Sequence, residues 1–197
     1  IFAKEYDSES RLTKEIHPEA ENGEGLTYDY DADGRKIRTH YPDGGVERCF
    51  YNAEGNLIKK VAPNQYDKAA DDGAGITYTY DAGNRRTSVT DAAGSLVEVS
   101  RYDAKGRCIY HQDAGQLEAS REGMVYVTTY RYDLVGNKLE ERKAVAEKEG
   151  AIQYSLRRWT YDIHNNIIEE KTWLTPQDEN SASGLTRTIC NTYDKQN

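Results

Sequence analysis

Short runs in which apolar and polar residues alternate recur along the chain, and many of them end in a tyrosine. Residues 76–80, with the sequence Ile-Thr-Tyr-Thr-Tyr, are a clear example. An alternation with a period of two predicts a β-strand whose two faces differ in burial. A second such run follows a few residues later, as in residues 36–41, 57–61 and 85–90. The pattern therefore predicts β-hairpins that pair edge to edge in an antiparallel sheet.

One motif occupies the turns of these hairpins, Tyr-Asp-x-x-Gly followed by Arg or Asn. Residues 102–107 carry it in full, and copies begin at Tyr6, Tyr30, Tyr51, Tyr80, Tyr102, Tyr132, Tyr161 and Tyr193. The intervals between these tyrosines are 21 to 32 residues, a spacing that indicates a repeat architecture. We count seven complete copies and a truncated eighth in residues 1–197. We expect a single array that is part of a longer protein, because both ends of the chain lie inside a repeat.

The residues of the motif suit a tight turn between two strands. An aspartate at the start of a turn accepts hydrogen bonds from its own backbone two residues further on. A glycine four residues after the tyrosine supplies the positive φ of a bulged hairpin. Asparagine tolerates the same conformation, whereas Ser10 in the first copy predicts a looser turn. The predicted turn residues are Tyr30, Asp31, Gly34, Tyr51, Gly55, Tyr80, Asp81, Asn84, Tyr102, Asp103, Gly106, Tyr132, Asp133, Gly136, Tyr161, Asp162 and Asn165.

Some copies have a second aromatic residue two positions before the motif tyrosine. These residues are Tyr28, Tyr78, Tyr130 and Trp159, and a basic residue follows the motif tyrosine by six positions in three of the copies, at Lys36, Arg86 and Lys138. Residues two apart on a strand face the same way, so the rings predict an aromatic ladder. Cross-strand packing is one interpretation of this ladder, and stacking on sugar rings is the other.

The composition favours an all-β fold with a semi-polar interior. Hydrophobic residues make up 37% of the chain, and the formal net charge is −8. A polar, acidic chain is typical of disorder, but this one contains 16 tyrosines, and tyrosine favours strands. An acidic chain without clusters of Lys and Arg argues against nucleic acid as a partner. No apolar run approaches the ~20 residues of a membrane span, so we expect no membrane insertion. The first residues do not have the pattern of a signal peptide.

No set of residues predicts a catalytic site, a cofactor or a metal centre. Residues 29–34 resemble the start of a calcium loop, but His40 stands where such a loop needs a bidentate glutamate. We interpret them as a hairpin turn, with weak calcium binding as the alternative. The histidines are isolated from one another, at His17, His40, His111 and His164. The cysteines, Cys49, Cys108 and Cys190, are interpreted as small apolar strand residues, with one disulfide as the alternative in an exported protein.

Longer polar connections interrupt the regular alternation of strands and turns. They cover residues 17–25, 63–75, 144–151 and 177–184. Residues 138–148 are rich in Glu, Lys, Ala and Arg, which raises the alternative of a short helical turn there. No pair of a nucleophile and a base is evident in these connections, so they do not predict an enzyme.

The repeated Tyr-Asp-x-x-Gly motif, with the Pro-Asp-Gly-Gly turn at residues 42–45, resembles the YD repeats of the Rhs family. Similar arrays occur in wall-associated proteins, toxin-complex components and teneurins, and the resemblance covers the whole chain. It implies a continuous twisted, curved β-ribbon that forms part of a spiral shell. In bacterial members such a shell encloses a C-terminal toxin. This chain has no toxin domain, and it lacks the Asp-Pro-x-Gly region at which many members cleave themselves.

The resemblance implies a non-enzymatic structural role in the wall of a secreted or cell-surface Rhs-type protein. The implied partners are the remainder of the shell and an enclosed toxin domain, with no cofactor. Exposed strand edges also predict self-association of an isolated segment. The alternative function is a carbohydrate-binding or adhesion module at the cell surface, with Tyr28, Tyr78, Tyr130 and Trp159 as the stacking residues.

Overall fold

The protein is described by a computed structural model over residues 3–16, 24–120, 124–177 and 184–193. The chain divides into two compact units, Ile1–Ser95 and Leu96–Asn197. Within each unit, strands that follow one another in the main sheet pair antiparallel, which confirms the predicted all-β class built from hairpins.

The described residues of the first unit form ten strands. They are β1 (Ala3–Tyr6), β2 (Leu12–Ile16), β3 (Leu26–Tyr30), β4 (Lys36–His40), β5 (Val46–Tyr51), β6 (Leu57–Val61), β7 (Tyr66–Asp67), β8 (Asp72–Gly73), β9 (Ile76–Tyr80) and β10 (Arg86–Thr90). The main sheet follows the chain order, except that β9 pairs directly with β6. Strands β7 and β8 form a separate two-stranded ribbon within the connection between β6 and β9.

The second unit contains seven strands and one short helix among its described residues. The strands are β11 (Leu96–Tyr102), β12 (Cys108–Asp113), β13 (Thr128–Tyr132), β14 (Lys138–Lys148), β15 (Ala151–Tyr161), β16 (Ile167–Trp173) and β17 (Thr186–Cys190). The helix α1, Ala114–Ala119, lies between β12 and β13. Here too the strands pair in chain order.

Each motif hairpin contains the same irregularity. The motif tyrosine pairs with the residue six positions later, and the register shifts just before the tyrosine, as at Tyr30 with Lys36, Tyr51 with Leu57 and Tyr132 with Lys138. Such a bulge leaves one residue of the return strand without a ladder partner. Its backbone groups therefore need hydrogen bonds from elsewhere.

Two sequence-based interpretations of the connections are wrong. Residues 138–148 form no helical turn but the eleven-residue strand β14, which pairs with both β13 and β15. Residues 144–151 are accordingly the end of a long hairpin, closed by Glu149 and Gly150 at positive φ, and not an irregular connection. Most of the predicted connections 17–25 and 177–184 lies outside the described residues.

Helix α1 was not predicted, although its start carries a recognisable signal. The Asp113 carboxylate accepts a hydrogen bond from the Gln116 amide at 2.8 Å, and the Gln116 side chain accepts one from the Asp113 amide at 3.2 Å. This reciprocal capping box satisfies two backbone donors at the helix start. No helix within the described ranges is both long and apolar enough to cross a membrane.

Few side chains are fully buried, and polar ones outnumber apolar ones. The buried apolar side chains among the described residues are Val61, Ala144, Leu156 and Trp173. The buried polar or charged ones are Thr39, Ser100, Gln112, Gln116, Thr128, Glu140, Gln153 and Gln177. Because the core is this small, contacts between neighbouring hairpins must supply much of the stability.

Candidate functional site

The turn of each motif hairpin is held by its first aspartate. At the second hairpin, one carboxylate oxygen of Asp31 accepts hydrogen bonds from the amides of Asp33 and Arg35, at 3.0 and 2.9 Å. Gly34 follows at a φ of 77° and donates its amide to the Asp31 carbonyl at 3.0 Å. The carboxylate therefore replaces backbone partners that the tight turn cannot provide.

The same geometry recurs at the other motif turns. Positive φ occurs at Gly34, Gly55, Asn84, Gly106, Gly136 and Asn165. The prediction that Ser10 makes the first turn looser is wrong. Ser10 has a φ of 64°, and its amide donates to the Asp7 carbonyl at 3.0 Å, as in the other turns. The positive φ is thus adopted by Gly, Asn and Ser alike, and Gly meets it with the least strain.

The second carboxylate oxygen of the turn aspartate binds the residue four positions later. Arg107 donates its Nε to Asp103 at 2.7 Å, and the same contact recurs at 2.7 Å for Arg11, Arg35 and Arg85. Where this residue is asparagine, the amide of Asn137 donates to Asp133 at 2.9 Å. The backbone hydrogen bond from Arg107 and then its guanidinium lower the pKa of Asp103. The aspartate therefore acts as a structural anion in the turn.

The arginine also reaches the next hairpin along the chain. Arg107 donates Nη1 to the carbonyl of Asp133 at 2.7 Å, and its guanidinium carbon lies 4.8 Å from the centre of the Tyr132 ring. Arg35 makes the equivalent contacts with the Asn52 carbonyl at 3.3 Å and with the Tyr51 ring at 5.4 Å. One side chain thus joins the turn of its own hairpin to the strand end and turn of its neighbour.

The motif tyrosine makes a second link between consecutive hairpins. Its hydroxyl donates to the carbonyl of the residue six positions after the preceding motif tyrosine, which lies at the bulge of the preceding hairpin. The pairs are Tyr30 with Leu12 (2.7 Å), Tyr51 with Lys36 (3.0 Å), Tyr80 with Leu57 (2.8 Å), Tyr132 with Cys108 (2.9 Å), Tyr161 with Lys138 (2.8 Å) and Tyr193 with Ile167 (3.0 Å). This contact binds the preceding hairpin at its bulge, at the carbonyl just before the residue that has no ladder partner.

These contacts between hairpins form the candidate functional site. The sequence identifies the residues that make them, but not the contacts themselves. The motif identified the tyrosine and the aspartate, but not the hydrogen bond that the tyrosine hydroxyl makes to the neighbouring hairpin. A signal for the arginine was present, because the fifth position after the tyrosine is Arg or Asn in every complete copy. A position restricted to two side chains that both carry planar N–H donors indicates a shared acceptor.

The aromatic residues that were predicted to form a ladder each have a cation near the ring face. The amine of Lys36 lies 4.8 Å from the centre of the Tyr28 ring, and that of Lys138 lies 4.5 Å from Tyr130 and 5.7 Å from Trp159. Arg86 lies 5.9 Å from the Tyr78 ring. The basic residues and the aromatic residues therefore pair as cation–π contacts, which the sequence pattern alone does not reveal.

The connection between β6 and β9 is fixed to the sheet by ion pairs. Asp71 accepts hydrogen bonds from Arg38 Nε at 3.0 Å and from the Tyr66 hydroxyl at 2.7 Å. Arg38 and then Tyr66 lower the pKa of Asp71 to about 2. On the sheet beside them, His40 Nε2 lies 2.9 Å from an oxygen of Asp29. These residues border an open concavity of about 520 Å³.

The remaining candidate residues are dispersed. The acids of the calcium-like segment bind different cations, since Asp31 and Asp33 pair with Arg35 while Asp29 contacts Arg38 and His40. In the described ranges no group of three or more His, Cys, Asp or Glu side chains could hold a metal ion. All three thiols are free; Cys49 and Cys108 are partly buried, and burial raises the pKa of both. His111 contacts Ser100, His164 lies in a turn, and His17 lies outside the described residues.

Comparison with known proteins shows that part of the chain is similar to a protein family. Residues 51–96 match the family model RHS_repeat, described as RHS Repeat. None of the curated proteins matches the chain. A solved structure of TcdB2-TccC3 without its hypervariable C-terminal region is similar at 12% identity and a TM-score of 0.49, and it covers 97% of this chain and 12% of that one. A Tc holotoxin pore of Photorhabdus luminescens is similar at 14% identity and a TM-score of 0.26, covering 87% and 12%.

This chain therefore spans about an eighth of the length of those two chains. The matched segment contains two complete hairpin turns of the type described above, those of Tyr51 and Tyr80. Both turns carry the aspartate or asparagine, the residue at positive φ and the tyrosine hydroxyl bond to the preceding hairpin. The resemblance to the YD repeats of the Rhs family, predicted from the motif, is confirmed over residues 51–96.

Proposed function

We propose that this chain is a non-enzymatic segment of the wall of a secreted or cell-surface Rhs-type protein, and that the complete wall encloses a C-terminal toxin domain. The observation that carries the proposal is the repeated contact between hairpins, in which six motif tyrosines bind the carbonyl at the preceding bulge. A contact repeated at every step builds a wall of any length from similar parts. The RHS repeat match at residues 51–96 supports the same role.

The composition of the sheet also supports a role as a container. Charged residues make up 30% of the chain, and few apolar side chains among the described residues are fully buried. A surface of this kind offers many weak contacts and no deep apolar pocket of the type that small ligands occupy. Such a surface suits a polypeptide cargo that must be released.

The proposal is tested on the complete protein that contains this segment. A protease should digest the C-terminal region slowly in the wild type and quickly after Leu156→Asp, which places a charge at a side chain that is 1% exposed. Lys148→Asp, at the exposed end of the long hairpin, is the matched control and should leave the protection intact. A C-terminal region that is digested equally fast in the wild type and in both variants would contradict enclosure.

A carbohydrate-binding or adhesion module is the second candidate. Tyr78 lines a shallow concavity of about 360 Å³ together with polar side chains that include Asn52, Glu54 and Asp81, and an aromatic ring beside carboxylates and amides suits a sugar. The cation near the ring covers part of the surface that a sugar would use. A glycan array separates the two functions, because hits that disappear with Tyr78→Ala support binding, whereas an array without hits favours the wall.

A further inference from the structure

The contacts between consecutive turns fall into two chemical classes. In the first class an asparagine that closes one turn donates its side-chain amide to the asparagine at positive φ in the next. Asn56 donates to the side-chain oxygen of Asn84 at 2.9 Å, and Asn137 donates to that of Asn165 at 2.8 Å. The acceptors have φ values of 58° and 67°. Both positions therefore use the one non-glycine residue type that combines this conformation with a side-chain amide.

In the second class an arginine closes the turn and the next turn has glycine at positive φ. A Cβ built on Gly34 would lie 3.9 Å from Arg11 Cδ, and one built on Gly55 would lie 3.8 Å from Arg35 Nη1. A Cβ alone would fit at these distances, but a longer side chain would meet the arginine. The arginine needs that space, because it extends across the turn towards the neighbouring ring and carbonyl.

The pairing of classes holds at every junction in the sequence. In each pair below, the first number is the residue that closes one turn, and the second is the fourth position after the next motif tyrosine, where the described turns have positive φ. Arg is followed by Gly, and Asn is followed by Asn, in the pairs 11/34, 35/55, 56/84, 85/106, 107/136, 137/165 and 166/197. The contact distances differ among them, since a Cβ on Gly136 would meet nothing within 4 Å. The propensity of a single position for positive φ explains why Gly and Asn occur there. It does not explain why the choice follows the residue of the preceding turn.

At the asparagine junction of Asn137, the two hydrogens of the side-chain amide have separate acceptors. Asn137 Nδ2 donates to its own turn aspartate, Asp133, at 2.9 Å and to Asn165 at 2.8 Å. Glycine at position 165 would leave the second hydrogen without this acceptor. In the arginine class, two different nitrogens make the corresponding contacts. Nε of Arg35 donates to the aspartate of its own turn, and Nη1 donates to the carbonyl of the next hairpin. An asparagine side chain in the next turn would then clash with the guanidinium.

We propose that the residue closing each turn selects the hairpin that can pack against it, so that an arginine turn accepts a glycine turn and an asparagine turn accepts an asparagine turn. The surface involved is the face that each turn presents to its successor, and its partner is a second hairpin of the same motif. This rule fixes which repeats are neighbours and in which register they pack. It holds whether or not the complete array encloses a toxin.

Double-mutant cycles at one junction of each class test the rule. At the asparagine junction the variants are Asn137→Arg, Asn165→Gly and the double variant; at the arginine junction they are Arg35→Asn, Gly55→Asn and the double variant. Asp133 and Asp31 remain in place as partners for the new residues. Urea unfolding of the full chain measures all variants. Each double variant, which exchanges one class for the other, should be more stable than the sum of the single changes predicts, by about tenfold in the unfolding equilibrium constant.

The control combines positions from different junctions, Asn137→Arg with Gly55→Asn. These changes lie in separate units, so their effects should add. Additive effects within both junctions would overturn the proposal, since positive-φ propensity alone would then account for each position. Equal coupling in the control would also overturn it, because the coupling would then reflect general destabilisation. The two junctions are independent, so a variant that fails to fold at one leaves the other as the test.

Discussion

The hydroxyl of Tyr132 donates a hydrogen bond to the backbone carbonyl of Cys108, at 2.9 Å. The two residues belong to consecutive hairpins, and Cys108 is the residue that pairs with Tyr102 at the bulge of the preceding one. The bulge leaves the next residue, Ile109, without a ladder partner, and the tyrosine of the next hairpin binds the carbonyl immediately before it. The motif tyrosine therefore serves the contact between hairpins as well as the turn of its own hairpin.

The turn aspartates should tolerate asparagine better than alanine. Asn52 already occupies the aspartate position in one copy, and its side-chain oxygen accepts the Asn56 amide at 2.8 Å. Asp103→Asn keeps an acceptor for the amides of Lys105 and Arg107, whereas Asp103→Ala removes it. Thermal unfolding should show a larger loss of Tm for the alanine variant. Equal losses would mean that the negative charge, and not the acceptor geometry, holds the turn.

The connection between β6 and β9 should loosen when Asp71 loses its charge. Asp71 has a φ of 51°, a conformation that asparagine tolerates, so Asp71→Asn tests the ion pair with Arg38 without adding backbone strain. We expect faster hydrogen exchange in residues 63–73 and unchanged exchange in the strands around them. Asp43→Asn, in an exposed turn, is the matched control. Unchanged exchange in residues 63–73 would show that packing against Val61 holds the connection instead.

Stability should fall in acid because the turn aspartates have lowered pKa values. The pKa is below its usual value for Asp7, Asp31, Asp81, Asp103, Asp133 and Asp162. A carboxyl group whose pKa is lower in the folded state stabilises the fold above its unfolded pKa, about 3.9, and that contribution disappears as the pH falls through the folded pKa. For Asp71 the loss extends down to about pH 2.

Urea midpoints at several pH values check this prediction. They should change little between about pH 7 and 5 and fall steadily below about pH 4. The Asp103→Asn variant should lose less on acidification than the wild type, because it has one fewer carboxylate to protonate. A midpoint that rises as the pH falls from about 5 to 3 would contradict the structural role of these carboxylates.

The sequence predicted the hairpins because local chemistry determines them. Alternating strands, an aspartate that caps the turn and a glycine at positive φ each act within six residues. The contacts between hairpins join residues that are farther apart, such as Tyr80 and Leu57, so no local pattern reveals them. They become visible only when the register of neighbouring hairpins is known.

Tertiary pairing also overrode local propensity. Residues 138–148 are rich in helix-forming side chains, yet they form β14 because both edges pair with strands. The buried carboxylate of Glu140 illustrates the cause, since it binds Arg158 on β15 at 2.7 Å. Helix α1 was missed for the opposite reason, because its six residues are too few to show a helical period and only the capping pair Asp113 and Gln116 indicates it.

The hydroxyl contact between hairpins is tested most directly by comparing Tyr132→Phe with Tyr130→Phe. The two tyrosines lie on the same strand and face the same way. Tyr132 donates to Cys108, whereas no hydrogen-bond partner for the Tyr130 hydroxyl is found among the described residues. Urea unfolding should show a loss of about 1 kcal/mol for Tyr132→Phe and almost none for Tyr130→Phe. Equal losses for the two variants would contradict the claim that the motif tyrosine joins one hairpin to the next.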